Sequence, residues 1–133
     1  MDAIISAQAA VAPIEGAIRN PANPHHFMVV RPVGRRVRIS VGDTMVAESE
    51  NAVWVLEAGK SLYGPMVYLP TADIKVALGE MDKSSHCPLK GDAVYFSLNG
   101  EEIAWSYAKP FGFAEQLAGH LAFWPSKVRM EIG

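Results

Sequence analysis

Asn99-Gly100 constrains this chain more than any other feature. An Asn-Gly pair between two alternating stretches closes a two-residue hairpin, because both turn positions need φ > 0. Val94 to Leu98 precedes the pair and Glu101 to Tyr107 follows it. A two-residue loop predicts the pairs Leu98–Glu101, Phe96–Ile103 and Val94–Trp105, whose side chains share one core-like face. The other face would pair Tyr95 with Ala104 and Ala93 with Ser106. It is small and half-polar, so something is expected to approach it closely.

The period of two continues on both sides of this hairpin. Val37, Ile39 and Val41 alternate with Arg36, Arg38 and Ser40, which predicts a half-buried strand. Gly42-Asp43 then predicts a turn pairing Val41 with Thr44 and Ile39 with Val46. Ala52 to Glu57 and Met66 to Leu69 read as strands, as do Leu121 to Trp124 and Lys127 to Ile132. Pro70 to Gly79 has two readings: a helical turn capped by Asp73, or a short strand over Lys75 to Leu78. Phe111 to Ala118 predicts a short helix closed by Gly119. The expected fold is mainly β: a small antiparallel barrel or sandwich of about eight short strands with one or two short helices.

The N-terminal part reads differently. Pro21, Pro24 and Pro32, with His25 and His26 among them, disfavour helix and regular inner strand. An extended arm over residues 1–34 and a single β-rich domain over 35–133 are expected. Met1 to Ala12 reads as a short helix or frayed arm. Asp2 and the lack of Lys or Arg argue against a signal peptide. Ile4, Ile5 and Val11 could dock on the body or on a second copy, making a homo-oligomer through the arm.

Charge and cysteine usage exclude several classes. A net charge of −2 leaves no electrostatic footprint for nucleic acid. Arg35, Arg36 and Arg38 are explained by a solvated strand face. One cysteine makes no internal disulfide. No apolar run is long enough to span a membrane. Gly59-Lys60-Ser61 lacks the first glycine of a phosphate loop, since Trp54 stands there. No G-x-S-x-G occurs, and Glu80-x-Asp82 reads as a solvated turn. His25, His26, His86, His120 and Cys87 lack metal-ligand spacing, so no metal site is expected.

Ser85 to Asp92 is the segment with chemistry. It places a thiol, an imidazole, an ammonium and a carboxylate within eight residues, beside a stiff Pro88 and a permissive Gly91. Lys90 and a protonated His86 would lower the Cys87 pKa and make a nucleophilic or redox thiolate. A cysteine packed as a small hydrophobe is the competing reading, and a Lys90–Asp92 pair is another. Cys87, Lys90 and Glu57 are the candidate catalytic residues; His86, Tyr95, Trp105, Ser106 and Tyr107 are candidate ligand contacts. Cys87→Ser and Lys90→Ala are expected to spare thermal stability while abolishing binding. Two functions compete: a small-molecule pocket, catalytic or binding, around this segment, and a non-catalytic assembly module using the arm with Phe111, Phe113 and Trp124. No motif names a cofactor.

His86-Cys87-Pro88-Leu89-Lys90-Gly91-Asp92-Ala93, Tyr95-Phe96-Ser97 and Ala104-Trp105-Ser106-Tyr107 together resemble the bacterial domain of unknown function 427 family. Pro110, Gly119, Ala122 and Phe123 continue the likeness, as does Tyr68-Leu69-Pro70 with Asp73. The resemblance covers about residues 25 to 130. His86 and His120 depart from it, standing where Thr or Tyr, and Tyr, are common. It implies a small cytoplasmic β-rich protein in which Glu57, Cys87, Lys90, Tyr95 and Trp105 recur. A nucleotidyltransferase-like label sometimes attached to the family finds no support here, because no Gly-Ser element precedes a D-x-D pair.

Overall fold

Alternation along the chain is realised as eleven strands in the computed structural model, which describes residues 14–133. The expectations for Met1 to Ala12 lie outside the described residues. The strands are β1 (Ile18–Asn20), β2 (Asn23–Pro32), β3 (Val37–Val41), β4 (Thr44–Ser49), β5 (Val53–Ala58) and β6 (Met66–Pro70). There follow β7 (Gly79–Cys87), β8 (Gly91–Leu98), β9 (Glu101–Ser106), β10 (His120–Phe123) and β11 (Arg129–Ile132). Two 3-10 turns, Thr71–Asp73 and Gly112–Leu117, are the helical elements among the described residues. No helix among the described residues is long and apolar enough to cross a membrane.

The strands form two antiparallel sheets in a sandwich-like arrangement that does not close into a barrel. The large sheet runs β1-β2-β5-β6-β10-β9-β8-β7; the small one runs β11-β3-β4. Successive side chains of a strand point to opposite faces, and the large sheet uses both. Val67, Leu69, Ala104, Leu121 and Phe123 turn to the small sheet and bury against Val37, Ile39, Val46 and Ala47. Tyr68, Trp105 and Ala122 alternate with them and enter a second core with Met28, Val55, Leu89 and Leu117. The first layer ties the sheets together, each fully buried Leu- or Phe-sized side chain contributing roughly 1.5–3 kcal/mol. The second layer holds the site.

Asn99 and Gly100 take φ 52° and 81°, as their turn requires. Leu98 pairs with Glu101 as expected, but a β-bulge then intervenes. Ser97 faces Glu102 and Phe96 faces Ala104, leaving Ile103 as the extra residue. The expected pairs of Phe96 with Ile103, Val94 with Trp105, Tyr95 with Ala104 and Ala93 with Ser106 are therefore corrected. Tyr95 lies opposite Trp105, and Val94 opposite Ser106. The bulge lets the consecutive Ile103 and Ala104 bury in the same core. Likewise Val41 pairs with Thr44, but a bulge sets Ile39 against Ala47 rather than Val46.

Two further expectations are corrected. Residues Asn23–Pro32 are extended, yet they form an inner strand between β1 and β5. Pro24 and Pro32 sit near its two ends, so Phe27 to Val30 keep a regular ladder. Glu80-x-Asp82, read as a solvated turn, lies instead within the strand Gly79–Cys87, which no hydrophobic alternation announces because it is at the sheet edge and most of its residues are exposed. Its Glu80, Asp82 and Lys83 are the charges that keep an open edge from pairing with other chains.

The Pro70–Gly79 stretch opens with a 3-10 turn tied to the small sheet. Buried Ser49 donates to Asp73 Oδ2 at 2.6 Å and accepts from the Asn51 amide at 3.0 Å. Ser49→Ala removes both bonds and is expected to cost about 1–3 kcal/mol. Urea unfolding measures it; a cost below about 0.5 kcal/mol would show that water replaces both bonds.

Candidate functional site

Pro88-Leu89-Lys90 makes the tight turn from β7 into β8. Leu89 is fully buried in the second core and anchors the turn from one side. From the other side the Phe111 amide donates to the Lys90 carbonyl at 3.1 Å. Gly91 has φ +116°, and a Cβ there would meet Lys109 O and Pro110 Cα at 3.3 Å. The segment is thus strand up to Cys87 and a pinned hairpin turn from Pro88 to Lys90. Gly91→Ala meets both the backbone strain and the close contact, and is expected to cost about 1–3 kcal/mol. It should also lift Lys90 from its position; a melting temperature within 1–2 °C of the parent would refute this.

The pinned turn aims Lys90 inward, and the residue is buried, 8% exposed. It donates to Glu57 Oε1 in a very short contact, across 33 residues of sequence. Glu57 Oε2 contacts His26 Nε2 at 2.8 Å. Glu57 is at the end of β5 and Lys90 just before β8, four places along in the sheet order. Their contact shows that the large sheet curls strongly toward this face. Burial would raise the Glu57 carboxyl, but the Lys90 charge and hydrogen bonds from His26 and Lys90 outweigh it and hold it below its ordinary range. Burial would lower the Lys90 ammonium, but Tyr68, whose phenol ionises only at high pH, together with the Glu57 charge and the bond to Glu57 holds it above its ordinary range. The pair is therefore ionised at neutral pH.

Above this pair opens a cavity of about 240 Å³. Tyr63, Tyr68, Tyr95, Trp105, Tyr107 and Trp124 wall it, with Val55 and Met66. Trp105 Nε1 donates to Tyr68 Oη at 3.1 Å, and the Trp105 and Trp124 rings lie 4.2 Å apart between centroids. Lys90 Nζ stands 5.4 Å from the Tyr107 ring centroid, a cation–π distance. Burial pushes the Tyr68 and Tyr107 phenols up, so both remain protonated donors.

Of the residues singled out from sequence, the fold gathers Glu57, Lys90, Tyr95, Trp105 and Tyr107 on this cavity. Ser106 is buried but lines neither this cavity nor its neighbour. His86 and Cys87 line the neighbouring cavity, about 410 Å³, with His26 and Glu57. The exposed His86 bonds Asp92 at 2.8 Å, so Asp92 pairs with His86 and not with Lys90. Tyr95 is fixed by Ser85 at 2.7 Å and by Lys83 above its ring at 4.4 Å. Trp124, expected as an exposed contact, is half-buried on Trp105. Sequence reasoning missed His26, Tyr63 and Tyr68 as site residues. Tyr68 carried a usable signal, an aromatic flanked by aliphatics of the opposite face; His26 was hidden by its prolines.

No curated protein matches this chain. Residues 29–133 match the family described as Domain of unknown function (DUF427). The match runs from mid-β2 to the end of β11 and includes Glu57, the Cys87-Pro88-Leu89-Lys90 turn and the aromatic wall. The ordered set of glycine turn, buried lysine and paired aromatics lies within that span, and the chain belongs to this family.

Proposed function

We propose that the cavity over Lys90 and Glu57 binds a small planar molecule carrying an anionic or hydrogen-bond-accepting group. The buried ion pair beneath six aromatic rings is the observation that carries this reading. A buried pair contributes little net stability compared with apolar packing of the same volume, so the fold alone gives no reason for it. A polar anchor inside an aromatic wall is what an orienting ligand site requires. The volume suits one or two rings. Lys90 has three N–H donors, and Glu57 takes one. As a protonated cation it orients a carboxylate or polarises a carbonyl; it is not a free-amine nucleophile at neutral pH. Tyr68 and Tyr107 add neutral donors. A cytoplasmic setting, which keeps the lone thiol nearby reduced, belongs to the same reading.

Trp105 and Trp124 report occupancy by fluorescence. Titration with single-ring and two-ring carboxylates and nucleobases is expected to give saturable quenching by at least one of them, with affinity at least tenfold lower in Lys90→Met. No saturable response from the folded protein across the set would count against the reading, as would an unchanged affinity in Lys90→Met.

Phe111 and Phe113 favour a second reading, assembly with a protein partner or another copy. They are exposed, and their rings stack with centroids 5.4 Å apart. Sedimentation of the full chain, of Phe111→Ser/Phe113→Ser, and of a chain beginning at Ile14 tests it. Truncation stops there because β1 starts at Ile18. Monomers throughout would remove the assembly reading.

A further inference from the structure

We propose that His26, Glu57 and Cys87 form a binding site for a zinc-class divalent ion, placed where the two ends of the curled sheet meet. One ligating atom from each lies within 4.8 Å of the others. The three residues come from β2, β5 and the end of β7, and β7 is the edge strand opposite the β1-β2 end. Spacing in sequence does not announce such a set, because its members meet only through the curvature of the sheet.

The donors suit a borderline ion. Thiolate, imidazole and carboxylate together favour zinc or cobalt over magnesium or calcium. Zinc bonds of about 2.0–2.3 Å place tetrahedral ligands roughly 3.3–3.8 Å apart. The His26–Glu57 contact of 2.8 Å would open slightly, and the 4.8 Å span of the set keeps the sulfur within side-chain reach of the ion. Three protein ligands leave a fourth position, and the set lines the cavity of about 410 Å³. On uptake Cys87 releases its proton to solvent, and His26 carries its N–H on the nitrogen away from the ion. Thiolate and carboxylate then balance the two charges of the ion, so Lys90, on the other oxygen of Glu57, faces a neutral centre.

Gly59 supports a built site. A Cβ there would come within 3.2 Å of His26 Cδ2 and 3.4 Å of Nε2, so the ring lies in space only glycine leaves. All three ligands are part-buried, whereas a chance surface cluster would be open.

Cys87 is the only thiol of the chain, which makes the test unambiguous. The full-length protein is alkylated with iodoacetamide with and without zinc chloride, and is separately titrated with cobalt chloride. Zinc is expected to slow Cys87 alkylation at least tenfold. One cobalt per chain should give a sulfur-to-cobalt band in the near ultraviolet, absent in Cys87→Ser. His26→Asn should weaken zinc protection at least tenfold, while His86→Ala should not. Failure of zinc to protect the folded parent protein overturns the proposal without reference to any variant. Loss of protection in His86→Ala but not in His26→Asn also overturns it, by assigning the metal to an exposed histidine. No organic ligand enters these measurements, so their failure leaves the aromatic cavity reading standing.

Discussion

Glu57→Gln is expected to lower the unfolding free energy by about 3 kcal/mol at pH 7, while Glu57→Leu combined with Lys90→Met is expected to lose about 1 kcal/mol or less. The single change keeps the shape but leaves the Lys90 ammonium buried without its counter-charge. Removing one partner of a buried pair typically costs about 3–5 kcal/mol, and replacing both by apolar groups is often neutral. The side chains are 10% and 14% exposed, so the lower end of that range applies. For a chain of this size the loss corresponds to a drop in Tm of about 10 °C. The difference between single and double variants is the coupling of the pair. Similar stability in all three would show that the ammonium reaches water when Glu57 is removed. The same burial revises the expectation that Lys90→Ala is silent in stability: it strands the Glu57 carboxylate, though His26 still supports it.

The pH dependence follows with its sign. Glu57 titrates lower in the folded chain than its ordinary 4.5, so its contribution is complete above that value and is lost as pH falls through the folded pKa. Lys90 titrates higher than its ordinary 10.5, so its contribution is complete below that value and is lost as pH rises through the folded pKa. Stability from this pair should thus be flat across neutral pH and fall at both extremes. In Glu57→Gln the acid-side fall attributable to this carboxyl disappears.

Trp105→Ala is expected to cost about 3–5 kcal/mol, as large-to-small changes at buried aromatics do. Trp105 is 7% exposed, packs at a tilt on Trp124, meets Tyr68 edge-on, and donates to the Tyr68 hydroxyl. Truncation empties the cavity wall and leaves that hydroxyl without its donor. Trp105→Phe separates these effects: it keeps most of the packing and loses only the indole N–H, for about 1–2 kcal/mol. Urea unfolding measures both. Equal losses in the two variants would mean that the hydrogen bond, not the packing, dominates.

Much of this was legible from local chemistry. Asn99-Gly100 and Gly42-Asp43 fixed two turns and the first pair beside each. The alternation around Val67 to Leu69 and Leu121 to Phe123 located strands β6 and β10. The segment from Cys87 to Gly91 drew attention to Lys90, and Glu57 stood out as a carboxylate at the end of a strand. Registers beyond the first pairs failed at the bulges, because an extra residue such as Ile103 is set by what both cores can accept. The strand Gly79–Cys87 failed because an exposed edge carries no burial period. The strand around His26 failed because proline was weighed without knowing that it sits near the strand ends.

By itself the sequence determined what neighbours along the chain decide: strand, turn, the side of the sheet, and the presence of an unusual thiol–ammonium turn. Tertiary structure alone decided that Lys90 meets Glu57 across 33 residues, and His26 meets it across 31. Alternation is a steric property of a few adjacent residues and can be read locally. Curvature accumulates from twist and bulges over the eight strands of the large sheet, and only their sum brings β2 and β5 to the end of β7.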